Sequence, residues 1–148
     1  MQQLHILNTR DNKEISELIK KQYGCKFDFK GYAVFMNDKN KIYIVKRDIG
    51  KLNFDELRFN SIGMYFGEVN RGELRLSIEG SQIIGQIAKK GILELSYEES
   101  KLWMKGHDFK VKSKEEGFLI IKHHDDFLGC GKVKDKTLLN YVPKERRE

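Results

Sequence analysis

Phe127-Leu128-Gly129-Cys130-Gly131-Lys132, followed after a short turn by Asn140-Tyr141-Val142-Pro143-Lys144-Glu145-Arg146-Arg147, is the stretch from which the organisation of this 148-residue chain is read. Glycines let another backbone approach closely, and a lysine beside them is a good phosphate contact. The same glycines also suit a barrel corner, where they relieve crowding and Lys132 simply faces water. Pro143, the only proline, fixes the backbone just before a run of cations. Tyr141 can anchor the strand or stack on a base. The charges that follow it also fit a solvated terminus. The candidate contacts here are Lys132, Lys134, Tyr141, Lys144, Arg146 and Arg147, with Gly129 and Gly131 as structural glycines.

Working outward, 117–122 and 127–133 read as a hairpin around His124-Asp125-Asp126, with a closing strand over 137–142. Ser96-x-x-Glu99 is a capping box that opens a short helix through Trp103 to Gly106. A strand is predicted over 73–78. A helix is predicted over 81–90, ending in Lys89-Lys90-Gly91 as a cationic C-terminus with a glycine stop. Several short strands with two short helices indicate a small, partly closed β-barrel. Upstream, 4–7 reads as a short strand. Asp11-x-x-Glu14 is read as a capping box before Ile15, Leu18, Ile19 and Tyr23, with Gly24 as the cap. Strands follow over 27–36 and 42–46, joined by hairpin chemistry at Asn37-Asp38-Lys39-Asn40. A helical turn is expected at Asn53 or Asp55, and another strand over 62–69. This first part reads as a small α/β unit.

Apolar residues make up 39% and aromatics 11% of the chain, which fits a folded protein rather than a disordered one. No run approaches the ~20 apolar residues of a membrane span, and Met1-Gln2-Gln3-Leu4-His5 lacks the layout of a secretory signal. A cytoplasmic protein is expected. The net charge of +6 is unevenly spread: ten basic against six acidic residues in 1–50, six against eight in 51–100, and twelve against eight in 101–148. The excess at both ends points to a polyanionic partner, with the middle as scaffold. Arg71, Arg75, Lys89 and Lys90 border glycines and a helix end and are candidate rim contacts. Lys20-Lys21 and Lys46-Arg47 could extend a basic face.

Cys25 and Cys130 are too few and too far apart for a zinc motif or a disulfide framework, and read as small buried residues. His123-His124-Asp125-Asp126 reads as a polar turn, because adjacent strand residues point to opposite faces and do not chelate one ion. Trp103 reads as core. No dinucleotide loop, Walker loop, nucleophile elbow or catalytic triad spacing is found. Neither a catalytic site, a cofactor nor a metal is therefore expected.

The glycine-lysine strand and the Tyr-Val-Pro-Lys tail resemble the RNA-binding C-terminal domain, of PUA-like type, of Sun/Fmu-type ribosomal RNA cytosine-5 methyltransferases. The resemblance extends through Gly63-Met64-Tyr65-Phe66-Gly67-Glu68-Val69-Asn70-Arg71-Gly72 and Gly106-His107-Asp108, in the same order, over more than half the chain. After Pro143-Lys144 this chain has Glu145-Arg146, where the bacterial enzymes tend to have a glycine and an apolar residue. The resemblance implies an α+β protein: a small α/β subdomain over 1–71, then a PUA-like mixed β-barrel with short helices over 72–148. It also implies non-catalytic binding of ribosomal or transfer RNA, in ribosome biogenesis or RNA modification. The catalytic domain, in which a cysteine beside a proline attacks cytosine, has no counterpart here. Two other readings stay open. One is an adaptor for an RNA-modifying enzyme or ribosomal protein, docking through apolar surface near Trp103 or Phe109. The other is a small enzyme acting on a nucleotide or RNA base.

Overall fold

The computed structural model describes residues 4–46 and 63–148. The helical turn expected at Asn53 or Asp55, Arg47 of the basic pair, and Ile62 at the start of a predicted strand lie outside the described residues. The first sheet runs β1 (His5–Ile6), β2 (Tyr32–Met36), β3 (Lys41–Lys46), β4 (Met64–Asn70) and β5 (Glu73–Leu76), each antiparallel to the next. Asn37 Oδ1 accepts from the Lys39 and Lys41 amides, both at 2.9 Å, which holds the predicted β2–β3 turn. The β4–β5 hairpin turns at Arg71 and Gly72, whose φ values of 52° and 76° form the twist-compatible pair of a two-residue hairpin. Residues 73–76 therefore hydrogen-bond to β4, and the division expected at 71/72 falls at a hairpin tip.

Helix α1 (Thr9–Tyr23) begins before the predicted box. Asn8 accepts from the Asp11 amide at 2.9 Å and Asp11 reaches back to the Asn8 amide, so an Asn-x-x-Asp pair caps it in place of Asp11-x-x-Glu14. Gly24 ends it in the left-handed conformation, as expected. Gln22 completes the outer edge of β5: its amide donates to the Leu74 carbonyl at 2.9 Å and accepts from the Leu74 amide at 2.8 Å.

The helix predicted over 81–90 is instead α2 (Ile78–Gly85), capped by Ser77. Lys89 and Lys90 do not close it. Their amides donate to the Tyr23 carbonyl at 2.8 and 3.3 Å, so an orphan acceptor at the end of α1 captures them. The second sheet contains β6 (Ile92–Glu94), β7 (Phe109–Lys110), β8 (Gly117–His123), β9 (Asp126–Lys134) and β10 (Thr137–Leu139), in the order β6-β8-β9-β10-β7 with β6 parallel to β8. Its short helix α3 (Tyr97–Met104) starts at the predicted Ser96 box. Two-residue β7 carried no sequence signal; pairing with β10 makes it a strand. The closing strand ends at Leu139 rather than 142, because Asn140 turns the chain away. The fold is α+β, and the strands curl into a half-barrel as expected of a PUA-like domain.

Two hydrophobic cores share one wall. Ile120 and Cys130 pack with Ile19, Tyr23, Phe66 and Leu74 on one side. Leu119, Ile121 and Val133 pack with Trp103 and Leu138 on the other. Gly131 passes beneath Trp103: a Cβ there would stand 2.7 Å from Leu138 Cδ1 and 2.8 Å from the indole. Its role is close packing in the core rather than admitting another backbone. Gly131→Ala is expected to destabilise the protein by about 1–3 kcal/mol through overpacking, seen as a lower urea midpoint with an unchanged m-value. An unchanged midpoint would mean that the indole has room to move.

Candidate nucleic-acid interface

Alternation along β5 buries Leu74 and Leu76 and turns Arg75 outward. The guanidinium carbon of Arg75 lies 4.6 Å from the centroid of the Tyr141 ring, and its terminal nitrogen pairs with Glu68 across the hairpin. Tyr141, 36% exposed, in turn packs on Phe118 of β8 with ring centroids 5.8 Å apart. Lys132 of β9 holds its ammonium 5.1 Å from the Phe118 ring and 4.0 Å from Glu73. A cation, two adjacent rings and a second cation therefore form one chain of contacts from one sheet to the other. Each such contact is worth about 0.5–1 kcal/mol at an exposed site, so the stripe holds its shape while staying open to competition.

Beside the stripe is a cleft of about 380 Å³. Arg75 and Tyr141 stand on its lining, together with Tyr65 of β4, Gly129 of β9, the capped start of α2 at Ser77, and Pro143 with Arg146. Trp103 closes it from within and donates its indole N–H to the Leu128 carbonyl at 3.2 Å. The indole is fully buried, so Trp103 is core and not an adaptor's docking patch. Burial pushes the Tyr65 phenol up to about 12, despite the opposing charge of Arg75, so it is a neutral donor at physiological pH. Arg146 crosses the cleft and pairs with Glu79 at 2.7 Å.

Asn140 makes most of the side-chain hydrogen bonds that hold the segment carrying Tyr141. Asn140 donates from Nδ2 to the Trp103 carbonyl at 2.8 Å and the His107 carbonyl at 3.2 Å, and accepts from the Val142 amide at 2.8 Å. Its own amide donates to Asp108 at 2.8 Å. Arg147 extends the tether: its Nε donates to the Val142 carbonyl at 3.1 Å, and its side chain lies against Gly106, where a Cβ would come within 2.3 Å of Nε. The Gly106-His107-Asp108 and Asn140-Tyr141 motifs are thus two halves of one clasp.

Of the candidate residues, the structure gathers Arg75, Tyr141, Arg146 and Gly129 on the cleft and puts Lys132 beside it. Arg147 serves the tail's own fold. Lys144 is exposed in the short 3-10 turn Lys144–Arg146. Lys134 is exposed at the end of β9, Arg71 is at the hairpin tip, and Lys89 and Lys90 lie against the end of α1; none of these four lines the cleft. Sequence reasoning missed Phe118, Tyr65, Ser77 and Glu79. Alternation about buried Phe66 marks Tyr65 as facing the other way, but no local signal foretells that Phe118 meets Tyr141. Burial, the largest effect, pushes the Cys130 thiol up to about 11 and raises Cys25 as well, which makes both poor nucleophiles. No cluster of three metal-ligating side chains occurs among the described residues.

Residues 90–148 match the family model of the Methyltransferase RsmF PUA domain. The resemblance read from the tail holds over these residues. The chain is 30% identical over 91 residues to Ribosomal RNA small subunit methyltransferase F of Aeromonas hydrophila subsp. hydrophila, covering 61% of this chain and 19% of that protein. It is 22% identical over 137 residues to the protein of the same name from Vibrio cholerae serotype O1 (strain M66-2), covering 92% of this chain and 28% of the relative. The chain spans less than a third of either relative.

Asn140→Ala would leave two carbonyls and the Val142 amide without their partner. A loss of about 1–3 kcal/mol in unfolding free energy is expected, together with greater protease sensitivity of the tail. Wild-type stability would show that the clasp is redundant.

Proposed function

We propose that this chain is a non-catalytic RNA-binding protein that grips ribosomal or transfer RNA in the cytoplasm, as part of RNA modification or ribosome biogenesis. The observation that carries the reading is the chain of contacts Arg75–Tyr141–Phe118–Lys132, two rings flanked by two cations, beside an open cleft. Phosphates need mobile cations, and unpaired bases need planar faces; this stripe offers both within one contact. The match to an rRNA methyltransferase's PUA domain supports the same reading. No helix among the described residues is long and apolar enough to cross a membrane.

The cations of the site are already paired, Arg75 with Glu68, Lys132 with Glu73 and Arg146 with Glu79. Solvent-accessible pairs of this kind contribute about 0–1 kcal/mol each, so a phosphate can replace a carboxylate at little cost. The pairs also weaken attraction for an arbitrary polyanion, which favours RNA whose shape reaches several cations together.

The test is equilibrium binding to ribosomal and transfer RNA across a salt series, with duplex DNA as competitor. Neutralising about six phosphates predicts a loss of roughly three orders of magnitude in affinity from low to near-physiological salt. Tyr141→Ala is expected to cost about 1–3 kcal/mol of stacking with little change in salt slope. Lys132→Gln is expected to lower the slope by about 1. If wild-type affinity survives both changes, RNA does not use this cleft.

A further inference from the structure

A second groove, of about 750 Å³, runs between α1 and the segment 26–32, outside the residues matched by the family model. Lys13 and Lys20 stand on its helical wall and Lys26 and Lys30 on the facing one, all four exposed. Two carboxylates, Glu17 and Asp28, also line it, so cations are in excess. Asp28 is already occupied, accepting from the Lys30 amide at 2.8 Å. Half-buried Phe27 and Tyr32 form its apolar part, with ring centroids 6.2 Å apart and planes inclined by 41°. Phe27 is fixed from behind by stacking on Phe66, 6.1 Å away and inclined by 19°.

Polar groups complete the lining. Ser16 contributes a hydroxyl, and Asn12 an amide whose Oδ1 is buried with no hydrogen-bond partner among the described residues. A buried amide oxygen left unpaired is costly, and a bound donor reached by a small rotation of the side chain would satisfy it. Aromatic surface, several mobile cations and an amide match one ligand chemistry. That ligand is a nucleotide, with its phosphate on ammonium groups, its base against rings and its amino edge toward an amide.

We propose that this groove is a nucleotide-binding site in which Lys13, Lys20, Lys26 and Lys30 hold phosphate, Phe27 and Tyr32 pack the base, and Asn12 meets its polar edge. The nucleotide is either free or one unit of single-stranded RNA. Four lysines spread over two walls serve more than one phosphate, which favours the strand. The two linings share no residue, so the proposal does not rest on the reading of the cleft.

The experiment measures binding of a fluorescent single-stranded RNA octamer to the full chain, to Lys26→Glu/Lys30→Glu, and to Tyr141→Ala. The double reversal changes exposed side chains only. It is expected to weaken the octamer about tenfold and to lower the logarithmic salt slope by about 1.4, whereas Tyr141→Ala leaves the salt slope unchanged. Photocrosslinking through 4-thiouridine is expected to mark the tryptic peptides spanning 27–39. Displacement of the octamer by AMP would assign the groove to free nucleotide, and resistance to AMP assigns it to the strand. An octamer that binds the double variant as tightly as wild type overturns the proposal. Crosslinks confined to other peptides, or equal displacement by polyglutamate, also overturn it. Failure of the cleft's RNA reading would show separately, as unchanged binding of structured RNA to Tyr141→Ala.

Discussion

The β8–β9 hairpin is buried on both faces, and the rest of the structure depends on it. Leu119, Ile120 and Ile121 are consecutive and all nearly inaccessible, so one strand supplies side chains to two cores in alternation. A surface sheet needs only one apolar face; a shared wall needs two. The hydrophobic effect thereby fixes the two sheets against each other without any linker. At roughly 1.5–3 kcal/mol for each fully buried aliphatic side chain, these three residues weigh more than all the ion pairs around the cleft.

That rigidity is what allows a site to be assembled from separate parts of the chain. Arg75 comes from the first sheet, Phe118 and Lys132 from the shared hairpin, and Tyr141 from the segment beyond the last strand. Without the common wall, a cation–ring contact of 4.6 Å between Arg75 and Tyr141 would not persist. The Asn140 clasp completes the arrangement, because a segment with no strand partner needs side-chain hydrogen bonds to hold it.

The electrostatics are restrained. Every cation of the stripe has a carboxylate within reach, and α2 begins at the cleft with Glu79 in its first turn, which offsets the positive helix end. A groove that merely attracted anions would lack these acids. Their presence suits recognition by shape and stacking, with charge as one contribution among several.

Much of the secondary structure was legible in the sequence, because it depends on neighbours along the chain. The Ser96 box, the Gly24 cap, the Asn37 turn and the β8–β9 hairpin all act over a few residues and appeared where expected. The errors mark where tertiary contacts won: Lys89 and Lys90 left a predicted helix for the Tyr23 carbonyl, and β7 exists only because β10 lies beside it. The candidate site was half visible. Tyr141, Arg146 and Lys132 were named from a tail whose composition is unusual, and Arg75 from its place near a glycine turn. That Phe118 lies between Tyr141 and Lys132, that Gly131 sits under an indole, and that Arg147 folds back on Gly106 could not be read locally. The sequence by itself determined most of the elements, since propensity, capping and turn chemistry are properties of short stretches. Only the tertiary structure decided which cations share a ring and which serve the fold, because that depends on packing between residues far apart in the chain.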